Sequence, residues 1–416
     1  MNQKIRDMRD CLLRLSAIGA AEGGGLTRLL YSPSWREAQD CLCAMFEEIG
    51  LTANFDQVGN LFGRIEGREK PEETVLTGSH VDTVRNGGTL DGQYGILAGW
   101  LAVGRLLAKH GRPKRSMEVV SFAEEEGSRF PYAFWGSKSL VGLADREALR
   151  QARDAEGHLF SEAMEQAGFD FEAVRPAPRK DIKAFVEAHI EQGGVLENLN
   201  QQIGVVTDIA GQKRYTATLT GEANHAGTTP MSMRHDAMEG AARCMVTLLD
   251  EAGKQGDPLV LTFGKVEVLP NIVNVVPGRV IFTVDCRHTD QKALDAFART
   301  IESAIGQCAA DLGLTAEIDC WMNEPPVPMN RELIERITRV CRERGLKTHV
   351  MHSGAGHDSQ ILARHYPTAM FFVPSIKGIS HNPAEETRIE DLVAGVDALE
   401  AILYDLAYSN SQLKSN

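Results

Sequence analysis

Short apolar runs alternate with longer segments of helical periodicity in the first half of the chain. The runs Thr74–Ser79, Met117–Phe122 and Ala184–Ile190 predict buried strands, and the segments 93–110 and 136–142 predict helices. Strands that alternate with helices indicate a largely parallel sheet with helices on both faces. Functional residues of such sheets lie just beyond the carboxyl ends of the strands. The residues that follow these runs are therefore the first candidates for a site.

The pattern changes between about residues 211 and 324. There it predicts a strand, a helix, two strands, a helix and a strand, at 214–220, 233–252, 259–268, 279–287, 290–312 and 315–321. This β-α-β-β-α-β order is that of a small ferredoxin-like domain. After an extended linker at 323–328, the earlier alternation resumes with a helix, a strand and a helix, at 330–345, 368–373 and 390–408.

The simplest architecture is therefore a discontinuous α/β domain interrupted by the ferredoxin-like one. The chain has 416 residues, which is enough for two or three domains. We expect the α/β domain to comprise residues 1–210 and 325–416, and the inserted domain to comprise residues 211–324.

Composition and charge narrow the possible partners. A formal net charge of −13 argues against nucleic acid, since phosphate binding needs a basic surface. The eight cysteines include no C-x-x-C pair, which favours reduced thiols. The sequence shows neither an apolar signal region nor a run of about 20 apolar residues that could span a membrane. We therefore expect a cytoplasmic protein with no nucleic-acid or membrane partner.

Five short segments combine acidic or imidazole side chains with nearby glycines, several of them directly after an apolar strand. They are Gly78–Val84, Gly87–Gly95, Phe122–Arg129, Val186–Gly193 and Ile379–Pro383. Imidazole and carboxylate are the ligands of Zn, Mn and Co in hydrolytic sites. In an extended segment, residues i and i+2 share a face, so Asp82 can orient the imidazole of His80 from behind. Each segment alone is also typical of a structural histidine or a solvated acidic run, and the coincidence of all five favours a metal site.

These segments resemble the ligand motifs of the two-metal M20 peptidase/amidase superfamily, in its N-carbamoyl-amino-acid hydrolase and allantoate amidohydrolase branch. The resemblance covers essentially the whole chain, from Thr27–Pro33 to the C-terminal helix. Its most diagnostic segments are Glu125–Phe130, Ala188–Gly193, Asn224–Met231, Asn274–Gly278 and His352–Asp358.

The resemblance implies a pair of divalent metal ions per subunit. His80 and His189 would bind one ion, Glu126 and His381 the other, and Asp91 would bridge the two. It favours Mn²⁺, although mixed nitrogen and oxygen ligands also accept Zn²⁺ or Co²⁺. It further implies a cis peptide bond between Asp91 and Gly92. The fold that it implies is a two-metal exopeptidase-like core with an inserted lid and dimerisation domain.

Two residues are candidates for the chemical step. Glu125 adjoins the ligand Glu126 and is the candidate general acid/base, which requires desolvation to raise its pKa toward neutrality. The resemblance implies that His225 stabilises the oxyanion, in this family commonly in the site of the partner subunit. A structural histidine is the competing interpretation for His225.

The inserted domain also supplies the candidate substrate anchor. A guanidinium binds a carboxylate through two parallel hydrogen bonds, which suits Arg287 to an acidic substrate. A salt bridge with Asp285 or Asp290 is the alternative. The other candidates for substrate binding offer amide, imidazole, guanidinium or backbone N–H donors, and they are Gln212, Arg214, Asn274, Gly356 and His357. A plain strand role is nearly as well supported for Gln212 and Arg214.

The resemblance implies hydrolysis of a ureido C–N bond of allantoate, giving ureidoglycine, ammonia and CO₂ in purine catabolism. The same site in an N-carbamoyl-L-amino-acid hydrolase or a β-ureidopropionase is the first alternative. An exopeptidase or aminoacylase is a further one, and a non-catalytic ureide-binding protein is the alternative from a different class. The expected partners are a small anionic ureide and a second copy of the chain, bound as a homodimer through the inserted domain.

Overall fold

The computed structural model describes residues 3–410. The chain divides into two compact units, which we call the α/β unit (Met1–Thr207 with Pro328–Asn416) and the inserted unit (Asp208–Val327). The limits expected from the sequence for the inserted segment are 211 and 324.

The helices and strands follow one another along the chain in three stretches. The first stretch contains α1 (Gln3–Ser16), α2 (Pro33–Glu48), β1 (Thr52–Phe55), β2 (Leu61–Ile65), β3 (Lys70–His80), α3 (Gln93–His110), β4 (Arg115–Phe122), α4 (Trp135–Leu140), α5 (Arg146–Leu149), α6 (Phe160–Gln166), β5 (Ile182–Ile190), α7 (Val195–Asn198) and β6 (Ile203–Ile209). The next stretch contains β7 (Gly211–Thr220), β8 (Asn224–His225), α8 (Ala237–Gln255), β9 (Val260–Thr262), β10 (Val266–Leu269), β11 (Val275–Val276), β12 (Arg279–His288), α9 (Gln291–Asp311) and β13 (Thr315–Glu324). The last stretch contains β14 (Val327–Pro328), α10 (Arg331–Glu343), β15 (Thr348–Ser353), α11 (Asp358–Leu362), β16 (Thr368–Val373) and α12 (Ile389–Ala407).

The large sheet has the order β1-β2-β4-β3-β5-β16-β6-β14, and β15 also pairs with β6. Its central strands β4, β3, β5 and β16 are parallel to one another. The pairs β1–β2, β2–β4 and β16–β6 are antiparallel. This confirms the expected mixed α/β architecture, and it brings the carboxyl ends of four neighbouring strands to one edge of the sheet.

Both faces of the central strands are covered, because successive side chains on a strand point to opposite faces. Val75 and Val119 belong to the large core that includes α1, α2, α3 and α12. Their neighbours Leu76 and Val120 belong to a second core with α4 and with Leu362 of α11. Strands buried on both faces carry continuous apolar runs, which is the pattern that predicted them.

The inserted unit contains an antiparallel sheet of order β10-β12-β7-β13, and β9 also pairs with β12. Helices α8 and α9 pack against this sheet through one buried core. The expected ferredoxin-like order of elements is therefore observed. The single strand expected at 259–268 is instead two short strands, because the four-residue step from Thr262 to Val266 lies opposite a three-residue step from Asp285 to Phe282. The extra residue interrupts the ladder, as a β-bulge does.

None of the helices in residues 3–410 is both long enough and apolar enough to cross a membrane.

Candidate metal centre

His80 is the last residue of β3 and is buried. Its Nδ1 lies 3.0 Å from the carbonyl oxygen of Asp82 and 3.5 Å from Asp82 Oδ1. Asp82 Oδ2 accepts the backbone N–H groups of Glu125 and Glu126, at 3.0 and 3.2 Å. Asp82 therefore connects the end of β3 to the acidic loop after β4. Since Nδ1 is engaged by Asp82, the other ring nitrogen of His80 is left to face Asp91.

Asp91 lies just before α3, and its two carboxylate oxygens face different partners. Oδ1 lies 3.2 Å from His189 Nε2 and 3.7 Å from His80 Nε2. Oδ2 lies 3.2 Å from His381 Nε2. The carboxylate of Asp91 therefore lies between His80 and His189 on one side and His381 on the other, as a bridging ligand must.

Gly92 is the N-cap of α3 and allows the helix to begin against His80. A Cβ atom at this position would lie 2.5 Å from both ring nitrogens of His80. The expected cis bond between Asp91 and Gly92 is wrong, because the cis bonds among residues 3–410 are Asp257–Pro258 and Leu269–Pro270. The chain turns here through the dihedral angles of Gly92, φ 63° and ψ −53°, which a glycine adopts without a Cβ clash.

The acidic run that follows β4 is buried. Glu124 is 1% exposed and Glu125 is 9% exposed, so the run is not a solvated surface. Glu124 has a left-handed backbone, with φ 67°, and its Oε1 accepts the Ser128 N–H at 3.1 Å. Glu126 Oε1 lies 3.4 Å from His381 Nε2. The left-handed turn at Glu124 thus brings the carboxylates of the residues that follow it, Glu125 and Glu126, to the candidate metal centre.

His189 precedes the last residue of β5 and is buried. Its Nδ1 lies 3.0 Å from the carbonyl oxygen of Ile190, and its Nε2 accepts the Gly92 N–H at 3.2 Å. This pattern places the ring proton on Nδ1 and an electron pair on Nε2, the nitrogen that faces Asp91. A metal-binding histidine in proteins is commonly oriented in this way by a hydrogen bond from its other nitrogen.

His381 lies in the loop after β16, and its side chain is 50% exposed. The hydroxyl oxygen of the preceding residue, Ser380, lies 2.8 Å from Glu385 Oε2 and 3.2 Å from Asp91 Oδ2, so its single proton can be donated to either carboxylate. Glu385 Oε1 in turn accepts the backbone N–H groups of Leu90 and Asp91, at 2.8 and 3.0 Å. The loop that carries His381 is therefore tied directly to the segment that carries Asp91.

Two groups of potential metal ligands result, and they share Asp91. The first is His80, Asp91 and His189, and the second is Asp91, Glu126 and His381. The separations between their donor atoms, 3.2–3.7 Å, compare with about 3.4 Å between ligands held at roughly 2.05 Å around one tetrahedral ion. The donor set therefore fits two divalent cations. The described residues contain further groups of this type, Glu187–His189–His357 and Asp154–Glu156–His158, but neither includes Asp91.

The electrostatics of the site show an excess of acid. Burial and the nearby Asp91 raise the pKa of Glu126 to about 7. Burial also raises the pKa of Glu125 well above its usual value, against the opposing charge of His80. The hydrogen bond to Asp91 raises the pKa of His381 to about 9. Several carboxylates thus lie close together with few positive charges among them. A divalent cation bound there would neutralise part of this negative charge.

Gly356 and His357 lie between β15 and α11, next to the first ligand group. His357 is buried, its Nε2 lies 3.1 Å from Ser353 Oγ, and its ring centroid lies 4.6 Å from that of His189. Burial and the neighbouring His189 lower the pKa of His357 well below its usual value. These contacts favour a neutral ring beside the candidate ligand His189.

Three candidates for substrate binding meet on the sheet of the inserted unit. Arg287 of β12 pairs with Gln212 of β7, and Asp285 pairs with Arg214. Asp285 accepts hydrogen bonds from Arg214 Nε at 2.8 Å and from Arg287 Nε and Nη2 at 2.8 and 3.0 Å. The salt bridge that was the alternative interpretation of Arg287 is therefore present. Arg214 and Arg287 thus hydrogen-bond to the same carboxylate, that of Asp285.

His225 and Asn274 form a second group in the inserted unit. His225 of β8 pairs with Val275 of β11, and the carbonyl oxygen of Asn274 accepts the Ala226 N–H at 3.0 Å. His225 is exposed, and its Nδ1 accepts the backbone N–H groups of Gly227 and Thr228, at 3.1 and 3.2 Å. The proton of the neutral ring is then on Nε2, which makes Nε2 a hydrogen-bond donor.

Several polar residues that hold the ligands were not expected from the sequence. Gln192 donates its side-chain amide to Asp91 Oδ2 at 2.9 Å, and Ser380 and Glu385 also hold Asp91. Gln192 follows His189 closely in a diagnostic segment, so its position was a usable signal. Nothing local marks Glu385, since its partners Leu90 and Asp91 are almost 300 residues away in the sequence.

The fold and the paired donor groups together define a candidate metallohydrolase. The domain described as Peptidase family M20/M25/M40 matches residues 76–405, and the chain belongs to this family. The expected resemblance is thereby confirmed, and with it the class of M20 amidohydrolases.

Individual relatives agree with this assignment. The chain is 54% identical to an allantoate amidohydrolase of Escherichia coli (strain K12), over 95% of this chain and 96% of that protein. It is 38% identical to an N-carbamoyl-L-amino acid amidohydrolase of Geobacillus stearothermophilus, over 95% and 97%. Among solved structures, it is similar to an amidase of the hydantoinase/carbamoylase family from Burkholderia multivorans, with a TM-score of 0.90, 35% identity and coverage of 96% and 97%.

Proposed function

We propose that this chain hydrolyses a ureido C–N bond of allantoate and, with one water, yields ureidoglycine, ammonia and CO₂, a step of purine catabolism. The observation that carries a hydrolytic function is the pair of donor groups that share Asp91. The choice of allantoate is supported by 54% identity to an allantoate amidohydrolase, against 38% to an N-carbamoyl-L-amino acid amidohydrolase.

The proposed cofactor is a pair of divalent cations in each subunit, with Mn²⁺ as the first choice and Zn²⁺ or Co²⁺ as compatible alternatives. His80 and His189 would hold one cation, Glu126 and His381 the other, and Asp91 both. Such a pair, when bound, lowers the pKa of a shared water and polarises the carbonyl group of the substrate.

Glu125 is proposed as the general acid/base. It belongs to neither donor group, so its carboxylate is not committed to a cation. Its backbone N–H is held by the same Asp82 oxygen that holds that of Glu126, which fixes it beside the ligands. In this role it takes the proton of the attacking water and delivers it to the departing nitrogen.

Residues of the inserted unit are proposed to recognise the substrate. The guanidinium groups of Arg214 and Arg287, which lie together beside Asp285, suit the carboxylate of allantoate. Asn274, Gln212 and the Gly356–His357 segment of the α/β unit are proposed to supply further polar contacts. The Nε2 donor of His225 has the chemistry required to stabilise an oxyanion.

The inserted unit is also proposed as the lid and as the contact of a homodimer. Four large apolar side chains close in sequence to His225 and Asn274 are exposed, at 69%, 69%, 53% and 103%: Met231, Met233, Ile272 and Val273. Exposed apolar patches commonly mark protein–protein contacts. The eight free cysteines suit the reducing cytoplasm, the compartment that we propose.

A parallel activity assay tests the proposal. The full chain, stripped of metal and supplied with Mn²⁺, is offered allantoate, N-carbamoyl-L-amino acids and dipeptides, and ammonia release is measured. The proposal requires the largest kcat/KM for allantoate. Preference for the carbamoylated amino acids would establish the alternative that the Geobacillus relative supports. Tight binding of allantoate without release of ammonia would reject an enzymatic function altogether.

A further inference from the structure

Arg28 is a fully buried cation that the proposed ligand set does not use. It is 0% exposed, and within residues 3–410 no carboxylate contacts its guanidinium. Its donors go instead to the carbonyl oxygens of Ile18 (3.1 Å), Val81 (3.3 Å) and Leu15 (3.4 Å), and to the side-chain oxygen of Gln93. A buried charge without a contacting acid is costly, so its retention calls for a role.

Two of the four side-chain partners of Arg28 lie close to candidate metal ligands in the sequence. Val81 lies between His80 and Asp82, and Gln93 is the second residue after Asp91. The backbone of Arg28 reaches the same segment as its side chain does. Its N–H donates to Thr83 Oγ1 at 3.0 Å, and its carbonyl oxygen accepts the Thr83 N–H at 3.1 Å.

The surroundings of Arg28 hold its side chain in one place. A Cβ on Gly19 would lie 2.8 Å from Arg28 Cγ, so the glycine leaves room for the side chain to pass. The amide nitrogen of Gln93 donates to Ser16 Oγ at 2.8 Å and to the Thr89 carbonyl oxygen at 2.9 Å. These two bonds orient the Gln93 oxygen toward the guanidinium.

We propose that Arg28 is a positioning residue of the metal centre, which sets the distance between the segment carrying His80 and the segment carrying Asp91. This inference rests on the proposed two-metal function. The guanidinium spans the segments because it presents several donors in one rigid plane, whereas the ammonium of a lysine is a single point. Arg28→Lys therefore keeps the positive charge but can no longer hydrogen-bond to both segments at once.

The test compares Arg28→Lys with Arg115→Lys. Arg115 serves as the control because it is 4% exposed and also donates to backbone carbonyls, those of Leu406 and Ser409, although unlike Arg28 it also forms an ion pair with Glu73. It begins β4, at the end of the strand opposite the candidate metal centre. The Mn²⁺ affinity and stoichiometry of each full-length variant are measured by chelator competition, and unfolding is followed by heating in chelator.

We expect Arg28→Lys to weaken Mn²⁺ binding by about tenfold or more, the effect of losing an outer partner of a metal ligand. Arg115→Lys should keep the wild-type affinity while losing a similar amount of thermal stability. If Arg28→Lys binds Mn²⁺ as the wild type does, or if Arg115→Lys loses as much affinity, Arg28 has no positioning role.

A second variant covers the case in which Arg28→Lys does not fold. Gln93→Met keeps the length of the side chain and removes its acceptor for Arg28, so it should weaken Mn²⁺ binding in the same direction. Wild-type affinity in Gln93→Met would then overturn the inference. A wild-type protein that binds no pair of ions would overturn the proposed function itself, and the inference with it.

Discussion

Replacing Gly92 by alanine should displace His80 from the metal centre. The new Cβ would lie 2.5 Å from both ring nitrogens, whereas ordinary contacts begin at 3.4 Å. The closest contact of the new Cβ is 2.4 Å, to Cε1, so the ring or the start of α3 must move by about 1.0 Å, and Asp82 holds the ring at Nδ1. Metal–ligand distances tolerate changes of only about 0.2 Å, so we expect the first ligand group to lose His80.

The substitution has two expected effects, backbone strain and the clash with His80, and a matched control variant separates them. Alanine at φ 63° and ψ −53° carries backbone strain of about 1–3 kcal/mol, and this lowers the free energy of unfolding. Gly111 caps the other end of α3 at φ 67°, and a Cβ there would meet no atom within 4 Å. Gly111→Ala therefore shares the strain without the clash.

Metal affinity distinguishes the two variants. We expect Gly92→Ala to bind Mn²⁺ at least about tenfold more weakly than the wild type, or about 1.4 kcal/mol, while Gly111→Ala keeps the wild-type affinity. The measurement is isothermal titration of metal-free protein, with folding verified by circular dichroism. A folded Gly92→Ala that binds both ions as tightly as the wild type would refute the placement of His80.

Three further predictions concern the chemical step, the substrate anchor and the fold. Glu125→Gln should lower kcat by at least about 100-fold while metal analysis still finds both ions; an active variant would contradict the proton-transfer role. Arg287→Ala should raise KM for allantoate by about tenfold with both ions retained, and an unchanged KM would reject the anchor. Burial raises the pKa of Asp181, but hydrogen bonds from Arg179 and Thr74 outweigh this and hold it below its usual value. The stabilisation is then present above about pH 4 and lost as the pH falls through the lowered pKa. Asp181→Asn should therefore cost about 1–3 kcal/mol at pH 7 and less as the pH falls through that pKa; urea unfolding that shows the same cost at every pH would contradict this.

The parallel centre of the sheet could be predicted because its strands are buried on both faces. Such strands show as continuous apolar runs, and 368–373 has the predicted bounds. Helix α3 also has its predicted bounds, 93–110, since glycines with positive φ flank it at both ends. The candidate ligands follow these strands, so the edge of the sheet at which they meet could be predicted as well.

The elements that were missed or misjudged depend on partners far away in the sequence. The strands β1 and β2 have only four and five residues, and pairing with neighbouring strands decides them as well as β6 and β15. The segment 323–328 was predicted to be a linker, but β13 continues to Glu324 because it pairs with β7 there. That prediction was based on the prolines at 325 and 326, although the residues that pair with β7 come before these prolines in the sequence.

Most residues that hold the candidate ligands in place could not be predicted from the sequence, for a related reason. Glu385 and Ser380 act on Asp91 only because the chain brings the loop after β16 against the segment that precedes α3. Arg28 lay in a segment noted only for its resemblance, and its contacts with Val81 and Gln93 needed the structure. Ligand side chains carry a chemical signature of their own, whereas the residues that hold them are ordinary polar ones.

The most direct test is anomalous X-ray diffraction from crystals grown in Mn²⁺. We predict two manganese peaks in each subunit, one contacted by His80 and His189, the other by Glu126 and His381, with Asp91 contacting both. Fully occupied manganese elsewhere, or a single peak that leaves Asp91 without an ion, would contradict it.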